Sequence, residues 1–490
     1  MSRDGHLTAD AVVVGTGAGG GPTAAVLAEA GLDVVVLEAG PRLGTDSFTG
    51  DEAEMTERLY QMAVAERSGL AVYAGRCVGG STVINDALCF RTPPEILAAW
   101  RDEHGLVGLS EAAFAPYLDA AWHDVHAEAT GPEHLNRNAR RLAAGARRLG
   151  WSASATPRNV RDCANLGLCN LGCPSGAKQS TLVTYVPRAE RAGARVVSGA
   201  RAERVRITDG RAHGIEATLL DSEGAARGRL EVEAPVVCVA AGVLGTPALL
   251  QRSGIAAGGG VQLHTSVHVS ARFDEPIHGY YGPTMAYAVD ELSDVQGHDG
   301  PGVMIESVAG HPLVTAPTIP GFGAAHAAVM AELPHLARAL VVVHDRTRGR
   351  IEADGALSYR LHADDIERVR AGMIGAARAY LAAGAREVHV PVHGVPPVRS
   401  ERDVGRLEVL DLSPSRLALV YAVHLFGGAT MGGARERSVC DETGACWQAR
   451  GLYVVDAAAL PTNTGVNPQI TIMANALRIA HGIAGTERAA

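Results

Sequence analysis

The sequence of 490 residues predicts an α/β fold that combines a parallel sheet with an antiparallel one. A short apolar strand (11–14) leads into the glycine-rich turn GTGAGG (15–20), which opens an alanine-rich helix (23–30). A second apolar strand (32–37) follows directly. This β–α–β order is typical of a Rossmann-like domain. Apolar and polar residues alternate through 261–420, which predicts an antiparallel sheet elsewhere in the chain.

The parallel-sheet domain is predicted to come from the start, middle and end of the chain. Later strands are expected at 195–205 and 231–240, and another at 451–455 leads through Asp456 into a final helix at 471–482. We therefore assign three segments to this nucleotide-binding domain, namely 1–90, 181–260 and 421–490.

The other segments, 91–180 and 261–420, are predicted to form a substrate-binding domain. The first is helical with loops and contains a cysteine-rich loop at 163–173. In the second, a helix at 364–383 is expected to cover the antiparallel sheet. Such a sheet can form the floor of a substrate pocket.

Composition and charge exclude several classes of protein. With 47% hydrophobic and 20% charged residues, the chain is typical of a soluble globular protein. A net charge of −9 argues against nucleic acid or an anionic membrane as partner. We see no export signal and no apolar run of membrane-spanning length, so we expect a cytoplasmic protein, with co-export alongside a partner left open. Eight cysteines in so long a chain are not a disulfide framework.

The glycine turn has the spacing of a dinucleotide-binding site. Gly15 permits the tight turn, Gly17 lets a pyrophosphate approach the backbone, and Gly20 lets helix and strand pack closely. The helix N-terminus supplies unpaired N–H groups to the phosphates. Glu38 ends the second strand, where an acid that binds ribose hydroxyls is expected. This motif is common to FAD and NAD sites.

A second glycine-rich block, GRCVGGSTVIN (75–85), follows. The adjacent Gly79 and Gly80, with the small Ser81, let backbone approach a flat ring or its phosphates. We assign these three residues and Asn85 to the cofactor site.

Four sequence blocks together resemble the glucose–methanol–choline (GMC) oxidoreductases, which are FAD enzymes. In family order they are VVVGTGAGGG with LEAGP, GRCVGGSTVIN, AAGVLGTPALL, and HLFGGATMGG followed by GLYVVDAAALPTNTGVNPQITIMANALRIA. The resemblance implies a Rossmann-like FAD-binding domain with an antiparallel-sheet substrate domain, in the α+β arrangement of that family. It also implies oxidation of a CH–OH group in a sugar, a glycoside or another alcohol.

The resemblance assigns roles to individual residues. His424 matches the family's base, which takes the proton of the substrate hydroxyl, and Asn467 matches the second active-site position. Both roles are chemically reasonable, because a neutral imidazole accepts a proton near neutral pH and an amide orients an oxygen. Asp456 is expected near the ribityl or pyrophosphate part of the flavin. Val205 and Pro468 complete the predicted cofactor contacts.

Two features point to different substrates. Gly428 and Thr430 replace the threonine and arginine common at these positions, and the resulting HxxGGxxMG pattern resembles sugar dehydrogenases of the family that carry a cluster. The segment 345–350 and the helix end at 382–385 instead resemble the long-chain alcohol oxidases.

Cys163, Cys169 and Cys173 form a C-x5-C-x3-C pattern followed by Pro174. Closely spaced thiolates suit iron or zinc, and the alternative is buried or paired thiols near the flavin. The segment resembles the one that binds a [3Fe–4S] cluster in bacterial FAD-dependent glucose and fructose dehydrogenases. That resemblance implies electron relay to an acceptor protein such as a cytochrome or ferredoxin. Lys178, the only lysine in the sequence, follows, within a run that also fits alcohol oxidases without an assigned cluster.

The sequence therefore predicts an FAD-dependent alcohol or sugar dehydrogenase or oxidase, with a possible [3Fe–4S] relay. The alternatives are a long-chain or natural-product alcohol oxidase without a cluster, and a flavin or cluster electron-transfer protein with a vestigial alcohol site.

Overall fold

The computed structural model describes residues 4–66 and 68–489. In chain order, the strands of this part are β1 (Asp4–Thr8), β2 (Ala11–Val14), β3 (Val34–Glu38), β4 (Tyr60–Val64), β5 (Ala71–Gly75), β6 (Ala127–Ala129), β7 (Ala153–Ala155), β8 (Pro157–Asn159), β9 (Arg195–Ser198), β10 (Ala200–Thr208), β11 (Arg211–Leu220), β12 (Ala226–Glu233), β13 (Val236–Val239), β14 (Gly259–Leu263), β15 (Ser266–Arg272), β16 (Tyr287–Val289), β17 (Val303–Ser307), β18 (Leu336–Val343), β19 (Gly349–Ile351), β20 (Leu357–Ser358), β21 (Glu387–His389), β22 (Tyr421–Ala422), β23 (Leu425–Phe426) and β24 (Leu452–Val454).

The α-helices of the same part are α1 (Gly20–Glu29), α2 (Glu52–Leu59), α3 (Pro94–His104), α4 (Glu111–Asp124), α5 (Arg137–Leu149), α6 (Tyr185–Arg191), α7 (Gly242–Arg252), α8 (Pro312–Thr315), α9 (Gly323–Ala331), α10 (Ala363–Ala382), α11 (Glu401–Glu408) and α12 (Gln469–Ala489). None of these helices combines the length and the apolar character needed to cross a bilayer.

The predicted Rossmann-like sheet is confirmed. Five strands lie in the order β24–β13–β2–β3–β9, and every neighbouring pair is parallel. Its central strands β2, β3 and β13 are valine-rich and buried along their whole length, as expected when helices cover both faces of a parallel sheet. Helix α1 packs against both α6 and α12, so the first and last helices of the fold meet beside the sheet.

Two strands predicted to be continuous are in fact divided between sheets. The segment 195–205 breaks at Gly199, whose φ of +67° suits the left-handed region, and only β9 joins the parallel sheet. The segment 231–240 breaks at Pro235, which lacks the N–H that a central strand needs. Strands β10 to β12 form a separate four-stranded sheet with β1.

The predicted antiparallel sheet is present, is larger than expected, and includes one parallel pair, β5 with β22. It has nine strands, ordered β4–β5–β22–β15–β18–β17–β16–β7, with β21 added beside β15. Helix α10 lies across β15, β17 and β18. It approaches closely because Gly372 faces the sheet, where a Cβ atom would lie 2.2 Å from Val341 Cγ1. Strands β4, β5 and β22 join this sheet although their residues fall in segments assigned to the nucleotide-binding domain, and the domain division itself stays a prediction.

The alternating segment that begins at residue 261 does not form one continuous strand, and it is interrupted beside the site. Strand β14 ends at Leu263 and pairs with β23, whereas β15 begins at Ser266 and enters the nine-stranded sheet. Thr265 fixes the break, because its N–H and Oγ1 donate to the Asp345 carboxylate at 3.0 and 2.6 Å. His264 lies in this break.

Candidate active site

One cavity of about 890 Å³ connects the carboxyl ends of the parallel strands with the nine-stranded sheet. At one end it is lined by the glycine turn after β2, and at the other by His424 and Asn467. Ligands of open α/β sheets bind in the crevice at the carboxyl ends of the strands, so its position is that of a nucleotide site extended toward a second domain.

The glycine turn has the close approaches that its spacing predicts. Gly15 has a φ of +98°, and a Cβ atom on it would lie 2.2 Å from the Ala240 carbonyl oxygen. A Cβ atom on Gly20 would lie 2.0 Å from the Gly15 carbonyl oxygen, so strand and helix meet backbone to backbone. Helix α1 begins at Gly20 with no side-chain cap from Gly19, and Gly17 lines the cavity. This end of the cavity fits the phosphates of a dinucleotide.

Glu38 lies on the cavity wall at the end of β3 and organises the turn. Its Oε2 accepts from the Thr16 N–H at 3.1 Å and from Thr16 Oγ1 at 2.7 Å, and its Oε1 accepts from the Gly40 N–H at 2.9 Å. Burial raises the pKa of this carboxyl, and the bonds from Thr16 and Gly40 partly oppose that effect. Thr16 Oγ1 also accepts from the Gly79 N–H at 2.8 Å, so it ties the two glycine-rich loops together. Thr16 was not identified from the sequence, although it lies inside the motif.

Asp456 connects the turn after β24 with helix α7. Its Oδ2 accepts from the Gly242 N–H at 2.7 Å and from Thr246 Oγ1 at 2.6 Å, and its Oδ1 accepts from the Ala458 N–H at 2.9 Å. Burial raises the pKa of the Asp456 carboxyl, and these bonds counteract the rise. A Cβ atom on Gly19 would lie 2.9 Å from Asp456 Cβ, so Asp456 stands directly against the glycine turn.

The other predicted cofactor residues divide into two groups. Gly80, Ser81, Asn85 and Pro468 line the cavity. Gly79 lies behind them, bonded to Thr16.

Val205 lies away from the cavity, so its predicted contact with the cofactor is not supported. It is a buried residue of β10, and its N–H donates to Ser253 Oγ at 2.8 Å. The first residues of the same strand, 200–202, line the cavity instead. Which residues of this strand contact the cofactor stays a prediction.

His424 and Asn467 meet at the far end of the cavity, although 43 residues separate them. Asn467 Nδ2 lies 3.5 Å from His424 Nε2. Burial lowers the pKa of His424 to about 4, so its imidazole is neutral at physiological pH. Asn467 Oδ1 is buried and has no hydrogen-bond partner among the described residues. The two side chains thus present a proton acceptor and an amide to one point on the cavity wall.

Two further residues at this end were not identified from the sequence. His264 Nδ1 lies 3.1 Å from His424 Nδ1. The fully buried Glu306 of β17 lies beside Asn467, and burial raises its pKa to about 8, partly offset by the Asn467 amide. Both occur within strand-like apolar runs, so no local pattern distinguishes them from ordinary sheet residues.

The predicted [3Fe–4S] site is not supported, because two of its three thiols meet different partners and the three do not converge in the described part of the chain. Cys169 is buried, and its Sγ accepts from the Arg158 guanidinium at 3.1 Å. Cys173 Sγ accepts from the Lys178 N–H and lies 3.4 Å from Ser175 Oγ. No three Cys, His, Asp or Glu side chains in residues 4–66 and 68–489 converge so that they could hold a metal ion, and this includes Cys163.

The thiols are all free, and Cys173 is the one with a lowered pKa. Burial alone raises that pKa, but hydrogen bonds from Ser175 and from the Lys178 N–H outweigh it. All eight cysteines are unpaired, including Cys440 and Cys446, which oppose each other in an antiparallel bridge.

The Lys178 side chain connects two loops of the structure. Its buried ammonium group donates to the carbonyl oxygens of Val83 at 2.5 Å, Asn85 at 2.8 Å and Cys169. Burial lowers the pKa of Lys178 to about 8. The lysine therefore fastens the cysteine loop to the second glycine-rich block.

Family profiles described as GMC oxidoreductase match residues 11–269, for the N-terminal part, and residues 345–476, for the C-terminal part. An uncharacterized GMC-type oxidoreductase of Mycobacterium tuberculosis is 35% identical over 96% of this chain and 75% of its own. Another, from Sinorhizobium fredii, is 32% identical over 97% of this chain and 94% of its own. A long-chain-alcohol oxidase of Arabidopsis thaliana is 28% identical over 98% of this chain and 67% of its own.

Two solved structures share the fold. Pyridoxine 4-oxidase from Mesorbium loti superposes with a TM-score of 0.73 at 20% identity, covering 96% of this chain and 98% of its own. Formate oxidase of Aspergillus oryzae superposes with a TM-score of 0.71 at 15% identity over the whole of both chains. The family profiles match both halves of the chain, and the matched ranges include residues that line the cavity. The protein therefore belongs to the GMC oxidoreductase family and is an FAD-dependent oxidoreductase of the alcohol-oxidising type.

Proposed function

We propose that this protein oxidises a CH–OH group of an alcohol to a carbonyl, with His424 as the base and Asn467 as its partner. The observation that carries the proposal is the pair itself. His424 Nε2 and Asn467 Nδ2 lie 3.5 Å apart in a cavity that continues to a dinucleotide-type glycine turn. FAD, when bound, supplies the hydride acceptor.

His424 has the protonation state that the base requires. Because its pKa lies near 4, the imidazole is neutral at physiological pH, and its Nε2 lone pair, which the Asn467 amide approaches only to 3.5 Å, can take the hydroxyl proton. Asn467 donates from Nδ2 to the substrate oxygen and so holds the alcohol in one orientation while its C–H bond breaks.

We expect the cofactor to lie along cavity-lining residues that come from three loops. Gly15, Gly17 and the N-terminus of α1 suit the pyrophosphate, and Glu38 suits a ribose hydroxyl. Gly80, Ser81, Asn85, Asp456 and Pro468 complete the wall.

The lining of the cavity favours an alcohol on an apolar skeleton over a sugar. The wall around His424 is formed largely by the nine-stranded sheet and its neighbours, and its apolar and aromatic members include Tyr60, Tyr73, Met285, Val308, Leu340 and Tyr421. A sugar carries several hydroxyl groups that need polar partners once buried, whereas more of this lining surface is apolar than polar. The similarity to proteins named long-chain-alcohol oxidases agrees with this choice.

The proposed electron path needs no cluster. Cys169 and Cys173 have separate partners, and no three metal-ligating side chains converge in the described residues, so we expect electrons to leave the flavin directly for an acceptor.

Anaerobic mixing of the FAD-loaded protein with alcohols tests the proposal. We expect loss of oxidised-flavin absorbance with an apolar primary alcohol and little with glucose. His424→Ala should slow this step by about 100-fold or more while FAD remains bound, as is usual when a general base is removed. His389→Asn, which changes a half-buried histidine of β21 outside the cavity, is the matched control and should react normally.

The outcomes separate the alternatives. Unchanged reduction in His424→Ala would disprove the base assignment. Fast reduction by sugars alone would favour the sugar dehydrogenase class. If no alcohol reduces the wild-type flavin but an electron donor reduces it, the electron-transfer class would be favoured.

A further inference from the structure

The connection between β17 and β18 lacks charged side chains over most of its length. Residues 308–331 contain no aspartate, glutamate, lysine or arginine, although 20% of the chain is charged. Connections between strands run over the protein surface, where charged side chains are common. A surface segment of this length without one charged residue is therefore a candidate contact face.

Helix α9 lies in this connection and presents apolar side chains to solvent. It consists of glycine, alanine, valine, methionine and one histidine, and none of its residues is buried. Phe322, directly before α9, is 91% exposed and stands between Gly321 and Gly323, whose φ angles are +102° and +62°. A helix that is apolar on every side is normally buried. The helix and Phe322 therefore call for a cover that the described part of this chain does not supply.

The uncharged segment is part of the cavity wall. His326 Nε2 of α9 lies 2.9 Å from the Ala316 carbonyl oxygen, which ties the helix to the turn at 316–318. Pro317 of that turn lines the cavity, and so does Leu313 of α8. The exposed helix is thus attached directly to residues that surround the substrate end.

The cavity reaches solvent through an apolar rim. Three of its lining residues are exposed apolar side chains, namely Met62 at 62%, Leu313 at 52% and Val423 at 38%. Met62 belongs to β4, the strand at the edge of the nine-stranded sheet, and Val423 directly precedes His424. Exposed apolar surface around an opening marks a site of interaction rather than ordinary surface.

We propose that this rim and α9, with Phe322 at its start, rest on an uncharged lipid surface from which apolar alcohols enter the cavity. The entry of alcohol rests on the proposed function, whereas the contact with lipid does not. Attachment to anionic lipid relies on lysine and arginine, which residues 308–331 lack, and the net charge of the chain is −9. The surface therefore fits a zwitterionic lipid such as phosphatidylcholine.

The position of the rim favours lipid over a protein partner. A second copy of the chain seated on Met62, Leu313 and Val423 would close the opening beside His424. A lipid surface covers the same side chains and is itself the phase in which an apolar alcohol dissolves.

One carboxylate of the cavity wall lies beside the rim. Glu52 accepts from the backbone N–H groups of Leu313 at 2.6 Å and Val314 at 2.7 Å. Its charge is therefore already bound by backbone donors, which lowers the cost of bringing it near lipid.

Cosedimentation of the FAD-loaded protein with phosphatidylcholine vesicles gives the first test. We expect the wild type to bind, and to remain bound in about 1 M NaCl because the contact is apolar. Phe322→Ser and Leu313→Ser should each lower the vesicle partition by about 10-fold, the effect of removing one large apolar side chain from a lipid contact. Val409→Ser is the matched control, since Val409 follows α11, is 84% exposed and lies outside the cavity lining.

Tryptophan substitutions test the orientation. The additional emission of Phe322→Trp should shift to shorter wavelength when phosphatidylcholine vesicles are added, whereas that of Val409→Trp should not. This readout and the partition both proceed without substrate.

Several results would overturn the proposal. They are a wild type that does not bind phosphatidylcholine vesicles, equal binding by all variants, and binding that requires anionic lipid and is lost in salt. A dimer that light scattering detects in the wild type and not in Phe322→Ser would assign the face to a second copy instead. If no alcohol reduces the wild-type flavin, the proposed function fails, whereas the vesicle measurements still decide the contact with lipid.

Discussion

The ammonium group of Lys178 lies 2.8 Å from the carbonyl oxygen of Asn85, and the same group also binds the carbonyl oxygens of Val83 and Cys169. A lysine presents three N–H donors from one atom, which matches three converging carbonyls, whereas the arginine fork is planar and spreads its donors. Every other basic side chain in the sequence is arginine or histidine. At position 178 the three carbonyl oxygens require the donor geometry of a lysine.

Lys178→Arg and Lys178→Met should therefore both destabilise the protein. Methionine leaves three carbonyls without their charged donor, and we expect a loss of about 3 kcal/mol or more in the free energy of unfolding. Because Asn85 lines the cavity, FAD occupancy should fall too. Urea unfolding and the flavin-to-protein absorbance ratio measure the two effects. The exposed Arg195→Lys is the control, and a Lys178→Arg variant with wild-type stability and occupancy would contradict the assignment.

The glycine turn offers a matched pair of substitutions. Gly15 and Gly31 have nearly the same φ, +98° and +96°, but a Cβ atom at Gly15 would meet the Ala240 carbonyl oxygen at 2.2 Å, whereas Gly31 has open space. Gly31→Ala should cost only backbone strain of about 1 to 2 kcal/mol and retain FAD. Gly15→Ala should cost more and lose FAD, because backbone must move beside the cavity. Equal losses of stability and equal FAD contents in the two variants would show that the close approach is unimportant.

The parts of the site that the sequence predicts are those that short-range spacing determines. Gly15, Gly17, Gly20 and Glu38 follow from the constraints of one tight turn between a strand and a helix, and the structure contains that turn, whereas their contacts with the cofactor stay predictions. The same reasoning identifies the parallel strand β2 from its buried valine run.

The parts that the sequence missed depend on long-range packing. His264 lies in an apolar run that resembles one long strand. That run breaks where Thr265 bonds to Asp345, 80 residues away, and His264 meets His424 in the break. The cysteine spacing predicts a cluster, yet Arg158 and the Lys178 backbone bind the thiols separately. Spacing limits which contacts are possible, whereas tertiary partners select among them.

Glu306 should make the protein less stable as pH rises. Its folded pKa is about 8 against an ordinary value of 4.5, so between these two pH values the folded state binds a proton that the unfolded state has lost. The free energy of unfolding should therefore fall from about pH 4.5 to about pH 8. Glu306→Gln removes the titrating group, so its advantage over the wild type should grow through that window in urea unfolding series. The exposed Glu57→Gln is the control, and identical pH profiles for the wild type and Glu306→Gln would refute the prediction.

The low pKa of His424 determines how activity depends on pH. The base must be neutral, and burial places its pKa near 4, so kcat/KM for flavin reduction should be flat from about pH 5.5 to 8 and fall only toward pH 4. An unburied histidine would instead give an acid limb near pH 6.5.

The free energy of unfolding should also depend on the protonation of His424, because its folded pKa lies below the unfolded one. Its contribution is complete above about pH 6.5 and is lost as pH falls toward 4, since the unfolded chain binds the proton first. His424→Asn should lose this part of the stability change, which urea unfolding at pH 7 and pH 5 measures. Stopped-flow reduction across the same range, normalised to the FAD-bound fraction, measures the kinetic limb. An acid limb at pH 6.5 with the protein still folded would show that His424 is solvated and that burial does not keep the base neutral.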